Sequence, residues 1–180
     1  LTDITTNTVK DSIIDMTEKI KISTDSTSDI SLALCQELNI SMLPIMLITE
    51  NGEYRDALDI TPEEFYPVLA ATEKLPSSSA VTPYLYTQLY EETYNAGYTD
   101  QIHVTINSKG SGTYQNAILA KDMFYQEHPE AKEDFRIHIL DSMTYSMGYG
   151  LAVIEAAKMA KNGESVASIL AMIEDFLAHS

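Results

Sequence analysis

Three short stretches of this 180-residue chain set carboxylate and hydroxyl side chains among small turn-forming residues. They are Asp25-Ser26-Thr27-Ser28-Asp29, Ser108-Lys109-Gly110-Ser111-Gly112-Thr113 and Asp141-Ser142. Each follows an apolar or alternating run: KIKIST, IHVTI and FRIHIL respectively. The middle stretch is the most informative. Glycines allow a backbone to approach a ligand, and the start of a following helix presents free N–H groups. Their aligned dipoles favour an anion by about 0.3–1 kcal/mol at an exposed site, so a phosphate or a carboxylate would suit this turn. Ser, Gly and Thr are also ordinary turn and cap residues, and one such loop alone is weak evidence for a site. Three of them on one sheet edge are stronger evidence. Two familiar chemistries do not fit. Lys109 precedes Gly110-Ser111-Gly112 and no Gly-Lys-Ser/Thr follows the strand, which is not a P-loop. Gly110-Ser111-Gly112 is also one residue too short on each side for a Gly-x-Ser-x-Gly nucleophile elbow.

These turns act together only if the elements around them converge. The alternation of Lys19–Thr24 predicts a strand, followed by a helix over Ile30–Leu38. Ile40–Thr49 reads as a second strand, in which Pro44 argues for an edge position or a bulge, and Asn51-Gly52 makes a turn. Thr61-Pro62-Glu63-Glu64 has the capping-box arrangement and starts a helix from Pro62 to about Thr72. The stretch LPSSSAVT reads as a loop before a second Pro-started helix, Pro83–Ala96, which Gly97 stops. Gln101–Ile106 and Phe135–Leu140 are the remaining strands, separated by a helix over Tyr114–Glu127. Helices over Tyr145–Lys161 and from Glu164 to about Leu177 finish the chain. Strands that alternate with helices of this length pair in parallel through right-handed crossovers. The expected fold is therefore α/β, a layered α/β/α arrangement around a mainly parallel sheet. Ligands in such sheets bind beyond the carboxyl ends of the strands, where the crossover direction switches. Residues 1–18 are Thr-rich and read as an N-terminal arm or short helix, leaving 19–180 as one α/β lobe.

Composition excludes several partners. Eleven Lys and Arg against twenty-seven Asp and Glu give a formal charge of −16, which repels nucleic acid and acidic membrane surfaces. Cys35 is the single cysteine, so neither an intrachain disulfide nor a cysteine zinc cluster can form. No apolar run approaches the roughly 20 residues of a membrane span, and the first residues lack the basic start of a secretory signal. A cytoplasmic location is the expectation. The chain starts at Leu1 and stops at Ala178-His179-Ser180, directly after an apolar helical pattern, and is expected to be a fragment.

Read in order, KISTDSTSDIS, NGEYRDALDITPEEFY, INSKGSGTYQNAILA and ILDSMTYSMGYGLAVIEAAKMAKNG resemble the DegV family of bacterial fatty-acid-binding proteins. The resemblance runs from about Lys21 to the C-terminus and is carried most specifically by SGTYQ-A followed by a DS-x5-G-x-G block. It implies the first lobe of a two-lobed carrier that buries one long-chain fatty acid, with the carboxylate fixed by hydroxyls. It further implies a separate fatty acid kinase that makes the acyl phosphate, so the carrier is not itself an enzyme and needs no cofactor. The family's second lobe continues beyond this chain, which is therefore expected to be truncated before it. Carried over residue by residue, the head-group hydroxyls are Ser111, in the Ser-Gly-Thr turn with Gly112 and Thr113, and Ser78 and Ser79. The latter pair stands where the family has Thr-Ser, and Ala80-Val81 replaces the Gln-Pro that follows. The alternative is an α/β enzyme acting on a phosphorylated small molecule at the same helix start.

Other residues are weighed against simpler roles. Met143 and Met147, beside the Asp141-Ser142 turn, are candidates to line an acyl chain, with ordinary core packing slightly favoured. Asp25 and Asp141 could hold a cation or act as an acid–base pair, but capping of backbone amides is the stronger reading. His103 and His138 read as partly buried, satisfied histidines rather than metal ligands. Cys35 reads as a small apolar residue, and Glu91-Glu92 as a solvated helix face; no metal is expected.

Overall fold

The computed structural model describes residues 18–180, so the expected arm over 1–18 lies, Glu18 apart, outside the described residues. Four parallel strands form the main sheet in the order β2-β1-β6-β7. They are β1 (Ile20–Asp25), β2 (Ser41–Leu43), β6 (Asp100–Thr105) and β7 (Arg136–Asp141). Three strands, β3 (Met46–Thr49), β4 (Gly52–Arg55) and β5 (Ser77–Ser79), form a separate antiparallel sheet in the order β4-β3-β5. Six helices complete the described chain: α1 (Leu32–Glu37), α2 (Pro62–Ala71), α3 (Pro83–Asn95), α4 (Thr113–Glu127), α5 (Met147–Lys161) and α6 (Val166–Ala178).

The main sheet separates two apolar cores. Ile22, Ile102 and Val104 pack with Cys35 and Leu38 near α1 and with Tyr149, Val153, Ile169 and Ile173 of α5 and α6. On the other face Ile137 packs with Tyr86, Leu89 and Tyr90 of α3 and with Ala117, Ala120 and Phe124 of α4. The layered α/β/α arrangement follows from these two faces. The predicted helix starts hold: Thr61 and Glu64 form the reciprocal capping box of α2, and Thr82 caps α3. Gly97 stops the α3 region at φ 72°.

Three segments differ from the sequence reading, the first being Gly52–Arg55, where the sequence predicts only the Asn51-Gly52 turn and the chain pairs antiparallel with β3 as β4. Ile40–Thr49 is not one strand: Pro44, which has no N–H to donate, separates β2 in the parallel sheet from β3 in the antiparallel one. Within the expected loop, Ser77–Ser79 is a strand, because its backbone pairs with β3, bringing Ser79 opposite Met46 and Ser78 opposite Leu47. Serines carry little strand propensity, and the pairing partner, not the side chains, makes this segment extended.

Candidate functional site

The crossover direction switches between β1 and β6: β2 lies on one side of β1 and β6 on the other. Asp25 ends β1 at this point with a fully buried side chain. Its carboxylate joins the two strand ends, with Oδ2 accepting from the Ile106 N–H (2.9 Å) and Oδ1 from the Thr27 N–H (3.1 Å). Oδ1 also accepts from the Thr27 hydroxyl and from the Tyr149 hydroxyl (2.7 Å). Burial, and then the neighbouring Asp25 charge, pushes the Tyr149 phenol far up, so it remains a donor. Next in sequence, Ser26 Oγ accepts from the Ile45 N–H at 3.1 Å. One turn therefore fixes Thr27, Ile45 and Ile106 at once. The capping reading of Asp25 holds, and that of Asp141 holds too: its Oδ1 accepts from the Ser108 and Met143 N–H groups, both at 3.0 Å.

Thr27, Ile45 and Ile106 form one wall of a cleft of about 230 Å³. Ser78, Ser79 and Ala80 form a second wall, and Gly110, Ser111 and Gly112 a third. Asn116 of α4 ties the last two walls together by donating from Nδ2 to the Val81 carbonyl (2.8 Å). None of the lining side chains is charged. The volume lies below the roughly 300–1,000 Å³ of pockets that enclose a drug-sized ligand. Gly112 precedes α4 without a side-chain cap, leaving the first-turn amides to other acceptors.

Of the residues singled out from the sequence, the structure brings Ser78, Ser79, Ser111 and Gly112 to this cleft. Thr113 lies behind it: the side chain is fully buried, and its N–H is already taken by Ser111 Oγ (3.2 Å), which also pairs with Thr113 Oγ1 (2.9 Å). Thr113 thus orients the Ser111 hydroxyl from within the protein. Met143 and Met147 do not line the cleft. Met143 is 53% exposed on a backbone of φ 56°, and Met147 lies on the first turn of α5 beside Gly150.

His103 and His138 share no site. In the β6–β7 register His103 faces Ile139 and His138 faces Ile102, so the two rings lie on opposite sides of the sheet. His103 is held between Ser23 Oγ (2.7 Å) and Tyr86 Oη (2.9 Å), whereas His138 Nε2 contacts Asp100 Oδ1 at 3.0 Å. Cys35 is buried in the core, where burial raises its thiol pKa.

Sequence reasoning missed several residues here, Asn107 and Tyr145 among them. Asn107 pins the Ser111 turn, its Oδ1 accepting from Lys109 N–H and its carbonyl from Gly110 N–H. An Asn followed by Ser-Lys-Gly is a recognisable Asx-turn signal. Tyr145 packs onto Gly110, a contact between distant segments that no local pattern announces.

The fold and cleft define a three-layered α/β lobe with a hydroxyl-lined pocket at its topological switch point. The chain belongs to the DegV family: the family model described as "Uncharacterised protein, DegV family" matches residues 19–180. It is similar to the DegV domain-containing protein TTE1491 of Caldanaerobacter subterraneus subsp. tengcongensis, with 33% identity over 156 residues, 87% of this chain and 52% of that protein. Among solved structures it resembles a DegV family protein from Thermus thermophilus described by its fatty acid binding. The identity is 30% and the TM-score 0.75, over 89% of this chain and 54% of that one. DegV of Bacillus subtilis, a fatty acid binding protein, gives 25% identity and a TM-score of 0.79 over 89% and 54%. The chain spans about half the length of the relatives it matches.

Proposed function

We propose that this chain binds a long-chain fatty acid by its carboxylate and presents it to a fatty acid kinase, which makes the acyl phosphate. The chain contributes binding and orientation, not bond breaking. The observation that carries this reading is the cleft in which Ser78–Ala80 and Gly110–Gly112 face each other at the switch point. The binding of fatty acids by the Thermus and Bacillus relatives supports the ligand class. The kinase and its handover rest on the family resemblance.

Magnitudes divide the work between head group and chain. A hydrogen bond to a charged group contributes about 1.5–3 kcal/mol, and each buried methylene about 0.8 kcal/mol. About a dozen buried methylenes therefore outweigh two or three head-group bonds. The apolar chain supplies most of the affinity, while the hydroxyls decide which end enters the cleft and faces the kinase. Ile45 and Ile106 offer the first apolar surface beside the head group.

The test is a titration of Ser111→Ala with a saturated fatty acid and with the primary alcohol of the same chain length. The acid should weaken about 10- to 100-fold, the equivalent of the lost charged hydrogen bond, and the alcohol much less. Unchanged affinity for the acid would remove the head group from this cleft.

A further inference from the structure

The loop that joins β7 to α5, residues 142–146, has two backbone conformations that L-residues seldom adopt. Met143 has φ 56°, and Ser146 has φ 57° with ψ −143°. Such conformations cost of order 1–3 kcal/mol each and persist only where the surroundings impose them. Here Asn107, which pins the Ser111 turn, and Asp29, which ends the Ser26–Ser28 turn, hold them. Asn107 donates from Nδ2 to the Met143 carbonyl (3.1 Å) and from its N–H to the Thr144 carbonyl (3.1 Å), and Ser146 Oγ donates to Asp29. The result is to lay the Tyr145 ring on Gly110, which lines the cleft. A Cβ placed on Gly110 would collide with the Tyr145 hydroxyl and lie 3.3 Å from two ring carbons, so a side chain here would have to displace the phenol. Tyr145 is 52% exposed, and its hydroxyl makes no hydrogen bond among the described residues.

We propose that Tyr145, which packs on the lining Gly110 without itself lining the cleft, is a further head-group residue: its phenol O–H donates to a ligand carboxylate that reaches the edge of the cleft at Gly110. This rests on the fatty-acid reading of the cleft, and it assigns the β7–α5 loop the role of holding that donor in place. A phenol on a two-torsion side chain is a rigid donor and loses little conformational freedom on engaging the ligand.

The test uses the full-length protein and two ligands, a saturated fatty acid and the primary alcohol of equal length, titrated against wild type, Tyr145→Phe and Gly110→Ala. Tyr145→Phe should weaken the acid about tenfold or more and the alcohol less, because only a charged acceptor gains the stronger bond. Gly110→Ala should give the same selective loss by displacing the phenol. Acid affinity equal in wild type and Tyr145→Phe would overturn the proposal while leaving the fatty-acid reading intact. Equal losses for acid and alcohol in Tyr145→Phe would also overturn it, reducing Tyr145 to packing. Wild type that binds no acid would overturn the fatty-acid reading and this proposal with it.

Discussion

Ser78 and Ser79 are neighbours in β5, and successive side chains of a strand point to opposite faces. Ser78 shares its face with Leu47 and Ser79 with Met46. Both residues border the cleft, yet only one hydroxyl can point across it toward Ser111. Ser78→Ala and Ser79→Ala should therefore differ at least about tenfold in their effect on fatty-acid affinity; equal losses would contradict the strand geometry. The glycines of the DS-x5-G-x-G block have a different explanation. A Cβ on Gly150 would run into the carbonyl oxygen of Ser28 and into Met147 Sδ at 3.1 Å. Because a backbone atom yields less readily than a side chain, Gly150→Ala should destabilise by about 1–3 kcal/mol, read as a lower urea midpoint. This glycine lets α5 approach the Ser26–Ser28 turn, and so seats Tyr149 on Asp25.

At the scale of elements, the two sheets differ in how deeply they are buried. The core strands β1 and β6 are largely inaccessible, whereas between Met46 and Ala80 only Ile60 is buried. Backbone amides of β3–β5 should exchange with solvent much faster than those of β1 and β6 in the same protein, and bound fatty acid should slow those of Ser77–Ser79 selectively. Equal protection in both sheets, measured by hydrogen exchange, would contradict this. The same contrast explains what the sequence made legible. Long amphipathic helices and the apolar strands β1, β6 and β7 carry their period on their own side chains, and their predicted ranges lie within a few residues of those observed. The Ser111 turn could be read because glycines and hydroxyls at a strand-to-helix junction have a local physical cause. The strands at Ser77–Ser79 and Gly52–Arg55 could not, since each depends on pairing with β3, while Pro44 announces an edge or bulge but not the change from one sheet to the other. Tyr145 at Gly110 and Asn107 at the β7–α5 loop were hidden for the same reason.

For the whole molecule, the buried polar centre makes stability depend on pH. Burial holds His103 at a pKa of about 3, against an ordinary value of 6.5. The unfolded chain therefore binds a proton between these values that the folded protein does not. His103's contribution is fully present above about pH 6.5 and is lost as pH falls toward 3, at about 1.4 kcal/mol per pH unit. Urea unfolding at pH 7 and pH 5 should show about 2 kcal/mol of loss from this residue, and His103→Gln should have a correspondingly shallower pH dependence. An identical dependence in the variant would contradict it. Against a net charge of −16, a ligand carboxylate in the proposed cleft would have to be held by local donors. Exposed charges are screened beyond about 8 Å at physiological salt, while donors at 3 Å act at full strength.

The most direct test of the central claim is mass spectrometry of organic extracts from the protein as purified from cells, wild type beside Ser111→Ala. The account predicts long-chain fatty acid in the wild type and its loss or depletion in Ser111→Ala. Wild-type protein that repeatedly yields no fatty acid, or a variant that retains it in full, would contradict the account.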